Sequence, residues 1–392
     1  MNSAGVAPVD FAPLAQMLLV GAMIAGLAWG WVWMRRRSDA AWSWSQKLTV
    51  LTLVLTFDLV VFGAFTRLSD SGLGCPDWPG CYGHASPVGA KAHIQAAEAA
   101  MPTGPVTHSK AWIEMLHRYL ATGVGALILI LAVGSWRERA VGGGVRPALE
   151  RWWPTLTLVW VCVQGAFGAW TVTMKLKPAI VTLHLLGGLF LLAMLCVQAA
   201  HQSRRLGQAM PVRLDRSTTW LLRVVGGLLL VQLALGGWVS TNYAVLACTD
   251  FPQCQGSWWP EMRFDQGFQI WRALGMTPEG DPISFAALTA IHYTHRLMAV
   301  VVLLAMAWLV WRLRAVPPLA HQGHWLGWLA LVQLGSGLGN VILGWPLMAA
   351  LLHTAGAAGM VMVLTWTVAR TSRAAVAGIP RPVHAPTSGV SA

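Results

Sequence analysis

Four histidines of this 392-residue chain, His117, His184, His295 and His353, fall inside long apolar stretches, where an ionisable side chain is costly and marks a functional candidate. A neutral imidazole is an iron ligand, and a pair of them can hold a low-spin heme. One such histidine could equally do no more than bond to a neighbouring helix. These four recur as two matching pairs, which favours ligation and implies two hemes. Zinc or copper is disfavoured, because no carboxylate or thiol accompanies the histidines in the helices as a third ligand. The chain has no CxxCH motif, which argues against a covalently attached heme.

The elements that must carry these ligands are membrane helices. The chain is 56% hydrophobic and 11% charged, and its mean hydropathy of +0.55 is too high for a soluble domain. Nine stretches are long enough to cross a bilayer: 12–34, 46–66, 112–134, 152–174, 179–200, 218–240, 286–311, 322–344 and 348–369. The predicted fold class is therefore an all-α polytopic membrane protein with nine transmembrane helices. The first stretch reads as an uncleaved anchor, since no basic residue precedes it and Arg35, Arg36 and Arg37 follow. A net charge of +12 could suggest nucleic acid, but the basic residues sort by loop. Arg137, Arg139, Arg146 and Arg151, then Arg204, Arg205, Arg213 and Arg216, then Arg312 and Arg314, then Arg370 and Arg373 all fall on one side. That side is the cytoplasm, the N-terminus and the long loops 67–111 and 241–285 are outside, and the bilayer is a bacterial inner membrane. No nucleic-acid partner is implied.

Behind the first span the chain repeats itself. Gly63, Cys75, Asp77, Pro79, Cys81 and Gly83 recur 173 positions later as Gly236, Cys248, Asp250, Pro252, Cys254 and Gly256. Gln164, Gly168 and His184 recur 169 positions later as Gln333, Gly337 and His353, and His117-Arg118 recurs as His295-Arg296. The expected organisation is an anchor and inner linker (1–45), two pseudo-symmetric four-helix repeats (46–205 and 206–370), and a disordered Pro-, Ala- and Ser-rich tail (371–392). Gly165, Gly168, Gly335, Gly337 and Gly339 should let helices approach closely. At 1.5 Å per residue, His117, His184 and His353 sit about 8 Å below the outer surface, with His295 a little deeper.

The halves differ beside the histidines. The first reads Glu114-Met115-Leu116-His117-Arg118 and the second His292-Tyr293-Thr294-His295-Arg296. Residues three apart share a helix face, so Glu114 should stand beside the heme held by His117, with no carboxylate in the other half. One site then looks reactive and the other looks like an electron-transfer site. The alternative is that Glu114 only caps its helix near the N-terminus. Asp58, mid-span in the second helix, has no evident role, and Trp258 and Trp259 fit an interfacial belt or a lid.

The motif Glu114-x-x-His117-Arg118, its partner His295-Arg296, the paired His184 and His353, and the run Thr66 to Leu73 followed by Cys75 and Cys81 resemble the heme A synthase family over about residues 46–369. The resemblance implies an oxidoreductase that converts substrate heme O to heme A for cytochrome oxidase assembly. It places substrate heme at His117 and His184, and resident heme B at His295 and His353. Glu114 would act at the methyl group as a base toward water or as a fixed negative charge. Arg67, Arg118 and Arg296 are candidate partners for heme propionates, or else helix-end arginines. The N-terminal anchor departs from the family's eight-helix core and should disturb neither site. Cys75 and Cys81, like Cys248 and Cys254, have five residues between them, and in an oxidising compartment two local disulfides are expected. They rigidify the loops or exchange electrons with a thiol reductant, the former being favoured. Cys162 and Cys196 read as packing residues. A heme O synthase and an electron acceptor are possible partners, and an oligomer is open. The competing reading is a diheme membrane cytochrome b in quinol electron transfer, which leaves Glu114 and the cysteine loops unexplained. Heme transport is a third.

Overall fold

The computed structural model describes residues 12–34, 42–137 and 148–371. Arg35, Arg36, Arg37, Arg139, Arg146, Arg373 and the tail from residue 372, read above as orientation signals and a disordered end, lie outside the described residues. The helices are α1 (Ala12–Met34), α2 (Trp44–Leu68), α3 (Lys91–Ala100), α4 (His108–Arg137), α5 (Ala148–Thr173), α6 (Pro178–Arg205), α7 (Arg216–Thr241), α8 (Phe264–Gly267), α9 (Phe285–Arg314), α10 (Ala320–Ile342) and α11 (Leu347–Arg370). Among the described residues nine helices are long and apolar enough to cross a membrane, one for each expected stretch.

Local signals start these helices where they do. Ser43, Asp215 and Ser284 cap α2, α7 and α9 by accepting the amides of Gln46, Thr218 and Ala287. Pro178 opens α6, where its missing N–H costs nothing. The α4 and α9 helices begin earlier than hydropathy alone suggests, so His117 is the tenth residue of its helix and His295 the eleventh of its own. His184 and His353 are each the seventh residue of theirs. Measured from the helix starts, His295 is the deepest of the four by one residue, and His117 lies nearer to it than to His184 and His353.

The same helix pairs touch in both halves: α2 with α4 and α7 with α9, α4 with α5 and α9 with α10, α5 with α6 and α10 with α11. The halves meet through α2, α6, α7 and α11. Near the start of α2 and the end of α6 the two helices and the turn after α6 are stitched by polar side chains, Gln46 to Ser203 (3.2 Å) and Gln208 (2.7 Å), Gln198 to Thr49 (2.9 Å), and Gln202 to Ser45 (3.1 Å). Such bonds average about 0.6 kcal/mol each between membrane helices, enough to fix register while apolar packing holds the bundle.

One expectation needs correction here. Gly165 and Gly335 face open space, while Gly168 and Gly337 seat histidine rings, so this small-residue face serves side chains more than backbone contact. The N-terminal helix, outside both repeats, packs along α4. A methyl group at Gly21 would collide with Thr122, and one at Gly123 with Ile24. Met17 of α1 also joins Cys75, Cys81, Ala111 and Met115 in one buried cluster.

The two cysteine loops fold alike. Each holds a disulfide, Cys75–Cys81 and Cys248–Cys254, both with Cα atoms 4.9 Å apart. Each has a cis proline peptide, at Pro79 and Pro252, and left-handed residues at matching places, Tyr82 and Gln255, Gly83 and Gly256. Asp77 accepts the amides of Tyr82 (2.6 Å) and Gly83 (2.7 Å), and Asp250 those of Gln255 (2.7 Å) and Gly256 (2.8 Å). The amides of Gly256 and Gln255 hold the Asp250 carboxyl below the ordinary carboxylate range. The first loop also contains α3, which sequence periodicity did not reveal.

All four loop cysteines are fully buried and paired within their own loop. In a Cys162→Ala, Cys196→Ala background, a thiol reagent applied to oxidised protein should modify none of them until reductant is added. A Cys75–Cys254 crosslink, or free thiols in fresh protein, would overturn the local pairing.

Candidate functional site

Each of the four histidines is seated against a glycine of a neighbouring helix. A methyl group at Gly63 of α2 would lie 3.0 Å from His117 Nε2, and one at Gly236 of α7 would lie 3.0 Å from His295 Cε1. At Gly168 of α5 it would lie 3.3 Å from His184 Cε1, and at Gly337 of α10 3.4 Å from His353 Cε1. These glycines are the ones that recur in the sequence, and the rings explain why: any side chain there would occupy the imidazole's place. His117 and His184 are near enough to interact electrostatically, as are His295 and His353. The backbone below the second member of each pair is fixed identically, Gln164 donating to His184 O (2.8 Å) and Gln333 to His353 O (2.7 Å).

Polar contacts to the rings are unequal. The Gln232 amide lies 3.1 Å from His295 Nδ1, and the Ser336 hydroxyl 3.0 Å from His353 Nδ1. The corresponding first-half residues are Leu59 and Phe167. There His117 stacks near Phe62 instead, and His184 Nδ1 is buried without a hydrogen-bond partner. Sequence reasoning passed over Gln232 and Ser336. The available signal was a polar residue inside an apolar run whose repeat counterpart is apolar.

Glu114 and Arg118 are both buried, 4% and 8% exposed. The Arg118 guanidinium donates to Glu114 Oε1 (2.5 Å) and to the backbone carbonyls of Asp77 (3.0 Å), Pro79 (3.1 Å) and Gly80 (2.5 Å). Glu114 Oε2 accepts the amide of Cys75 at 2.9 Å. Glu114 is the seventh residue of α4, beyond the first turn whose amides lack partners, so its role is not that of a helix cap. In the second half Arg296 donates to the carbonyls of Cys248 (2.7 Å), Asp250 (2.8 Å) and Gln253 (3.1 Å), and its Nε faces His292 Nε2 at 3.3 Å. His292 thus stands where Glu114 stands in the first half. Arg118 and Arg296, expected as propionate partners, thus both bond carbonyls of the disulfide loops.

Arg67 lies elsewhere, at the seam between the halves. It donates to Ser240 O (2.5 Å), approaches Asp70 (3.5 Å) and lies 3.9 Å over the Tyr243 ring, while Tyr243 donates to Asp70 (2.5 Å). A second loop cation, Arg272, is 3% exposed, bonds Asn242 and leaves its Nε without a partner. Asp58 is exposed on the same face of α2 as Val54, which excludes an interior role for it. Trp258 and Trp259 are exposed, and Trp259 stands edge-on to Tyr293, whose hydroxyl bonds the Trp258 carbonyl.

The donor set suits heme better than a bare metal ion. Two imidazoles face one another in each half, and among the described residues no group of three or more His, Cys, Asp or Glu side chains could hold an ion. A macrocycle that brings its own four nitrogens needs only two axial ligands from protein. The partnerless His184 Nδ1 and the glycine seats agree with rings that serve an added group.

A family model described as cytochrome oxidase assembly protein, COX15-CtaA, matches residues 46–366. A protein named heme A synthase from Shewanella oneidensis is 36% identical over 318 residues, covering 80% of this chain and 92% of that protein. Proteins of the same name from Rhizorhabdus wittichii and Halalkalibacterium halodurans are 27% identical over 336 residues (81% of this chain, 91% of theirs) and 25% identical over 318 residues (78% and 89%). The match runs from the start of α2 almost to the end of α11, through both disulfide loops and all four seated histidines, and the chain belongs to the COX15-CtaA family of cytochrome oxidase assembly proteins.

Proposed function

We propose that this protein is a heme A synthase of the membrane, oxidising a methyl group of heme O to the formyl group of heme A for cytochrome oxidase assembly. The observation that carries the reading is the one-sided carboxylate: Glu114 stands one turn from His117, while His292 takes that place beside His295. Likeness to proteins named heme A synthase, over most of their length, supports the same conclusion.

On this reading His117 and His184 hold the substrate, heme O. His295 and His353 ligate a resident heme B, which when bound supplies a one-electron relay. Oxidation proceeds by hydroxylating the methyl group twice with oxygen from water, each time releasing a pair of electrons and two protons, and the geminal diol loses water to give the aldehyde. An acceptor protein or quinone takes the electrons. Glu114 acts at the methyl group as base toward water or as negative charge beside a developing cation. Two of the roughly four acceptor positions of a carboxylate are used, by Arg118 and Cys75, so others are free to receive a proton. Arg67 shares the face of α2 that carries Gly63, one turn along the helix, and with Arg118 and Arg296 is a candidate for a heme propionate. The cysteine loops and N-terminus face outward from a bacterial inner membrane, and a heme O synthase can dock alongside.

Expression with a heme O supply followed by heme extraction and mass analysis should yield heme A. Recovery of heme B alone, in stoichiometry for both halves, would instead make the protein a diheme cytochrome. Replacing His353 with Ala should abolish the resident low-spin spectrum, because iron is left with one protein ligand; a full bis-histidine spectrum in that variant would rule out the second-half assignment. Glu114→Gln keeps the size and can keep hydrogen bonds to Arg118 and Cys75, so the disulfide should still form. Heme A formation should fall on the order of a hundredfold, about 3 kcal/mol, with heme O or a hydroxylated intermediate accumulating. Near-normal yield would leave Glu114 only as the tie between α4 and the Cys75 loop.

A further inference from the structure

The two ligand pairs differ in what stands behind the rings, and the difference is asymmetric in a chemically specific way. Ser336 has a single hydroxyl hydrogen. It donates that hydrogen to Val332 O at 2.6 Å, one turn back on α10. The same oxygen lies 3.0 Å from His353 Nδ1 and can meet it only as acceptor. His353 Nδ1 must then carry the ring hydrogen, which leaves the Nε2 lone pair as the ligating one. Gln232 meets His295 differently: its amide nitrogen lies 3.1 Å from Nδ1 and 3.4 Å from Nε2 and donates to the His295 carbonyl at 3.3 Å, which ties the residue to α7 without assigning its tautomer. The first half offers Leu59 and Phe167 at these two positions, and His184 Nδ1 has no acceptor.

We infer that Ser336 is a positioning residue for the second-half heme: by accepting the Nδ1 hydrogen of His353 it fixes the tautomer and raises the basicity of the ligating nitrogen. Such partners typically change metal affinity by about 10–100-fold. The first half has Phe167 in place of Ser336 and leaves His184 Nδ1 without an acceptor, so its ligand pair releases heme readily, as a substrate and product site requires. The inference rests on the assignment of a resident heme to His295 and His353 and adds to it the reason that this heme stays.

The test uses full-length purified protein. Two quantities are read, the midpoint potential of the low-spin heme and its rate of transfer to apomyoglobin, in wild type, Ser336→Ala, Ser336→Thr and His353→Ala. Ser336→Ala should raise the potential, because a less basic ligand favours ferric iron less, and should speed transfer about tenfold. Ser336→Thr, which keeps the hydroxyl, should restore both. Unchanged potential and transfer in Ser336→Ala, with the heme lost in His353→Ala, overturns the role of Ser336 alone. Heme retained in His353→Ala overturns the underlying assignment instead. Loss of heme in Ser336→Ala supports the inference if Ser336→Thr restores it and sinks it otherwise. Should Ser336→Ala not accumulate, Ser336→Cys, a weak acceptor of similar size, is read against the same outcomes.

Discussion

A guanidinium group buried at the outer end of a membrane helix must find acceptors, because neither lipid nor apolar side chains supply any. In both halves of this protein the acceptors are carbonyls of the disulfide loop. Arg118 reaches three of them and Arg296 another three. Each arginine directly follows a glycine-seated histidine in sequence, so one local interaction joins the loop, the helix and the ring into a single unit. The aspartates that fold the loop turns and the disulfides that close them shape the carbonyl cup that the cation fills.

On that common scaffold three differences lie close to the histidines. Glu114 is replaced by His292, Leu59 by Gln232 and Phe167 by Ser336. The first half gains a buried carboxylate close to its ligand pair and leaves its rings without polar support. The second exchanges the carboxylate for another imidazole and supports both rings. A site that turns over its occupant and a site that keeps it can thus be made from one framework by changing side chains that touch the ligands, with the backbone of the loops and the glycine seats left alike.

Much of this was legible in sequence, because hydropathy runs report membrane helices directly and a fixed offset reports a repeat without any structural knowledge. The pairing of His117 with His184 and of His295 with His353 followed from their recurrence. What sequence could not convey was which atoms meet. Arg118 and Arg296 read equally well as propionate partners, and only the path of the loop carbonyls shows where their donors go. Gly165 and Gly168 are indistinguishable as small residues three apart, yet one faces open space and the other a ring. The position of His117 along its helix was misjudged because hydropathy ends a helix where polarity begins, whereas α4 continues beyond it through His108 and Lys110. Nor does composition say which neighbour an added helix will choose, and α1 chose α4.

The seam between the halves has a further property. Arg67 bonds Ser240 and Asp70 bonds Tyr243, and in both cases the two partners are separated by the same 173 positions that relate one loop to the other. A residue that touches its own counterpart is the signature of an isologous contact, the kind formed by two identical subunits about a dyad. In such a pair of identical subunits an arginine would be obliged to face an arginine, and an aspartate an aspartate. Carrying both copies on one polypeptide lifts that obligation. Each position on the axis can then be specified separately, cation against carbonyl and phenol against carboxylate, and the like-charge repulsion that identity would impose is absent from the middle of the molecule.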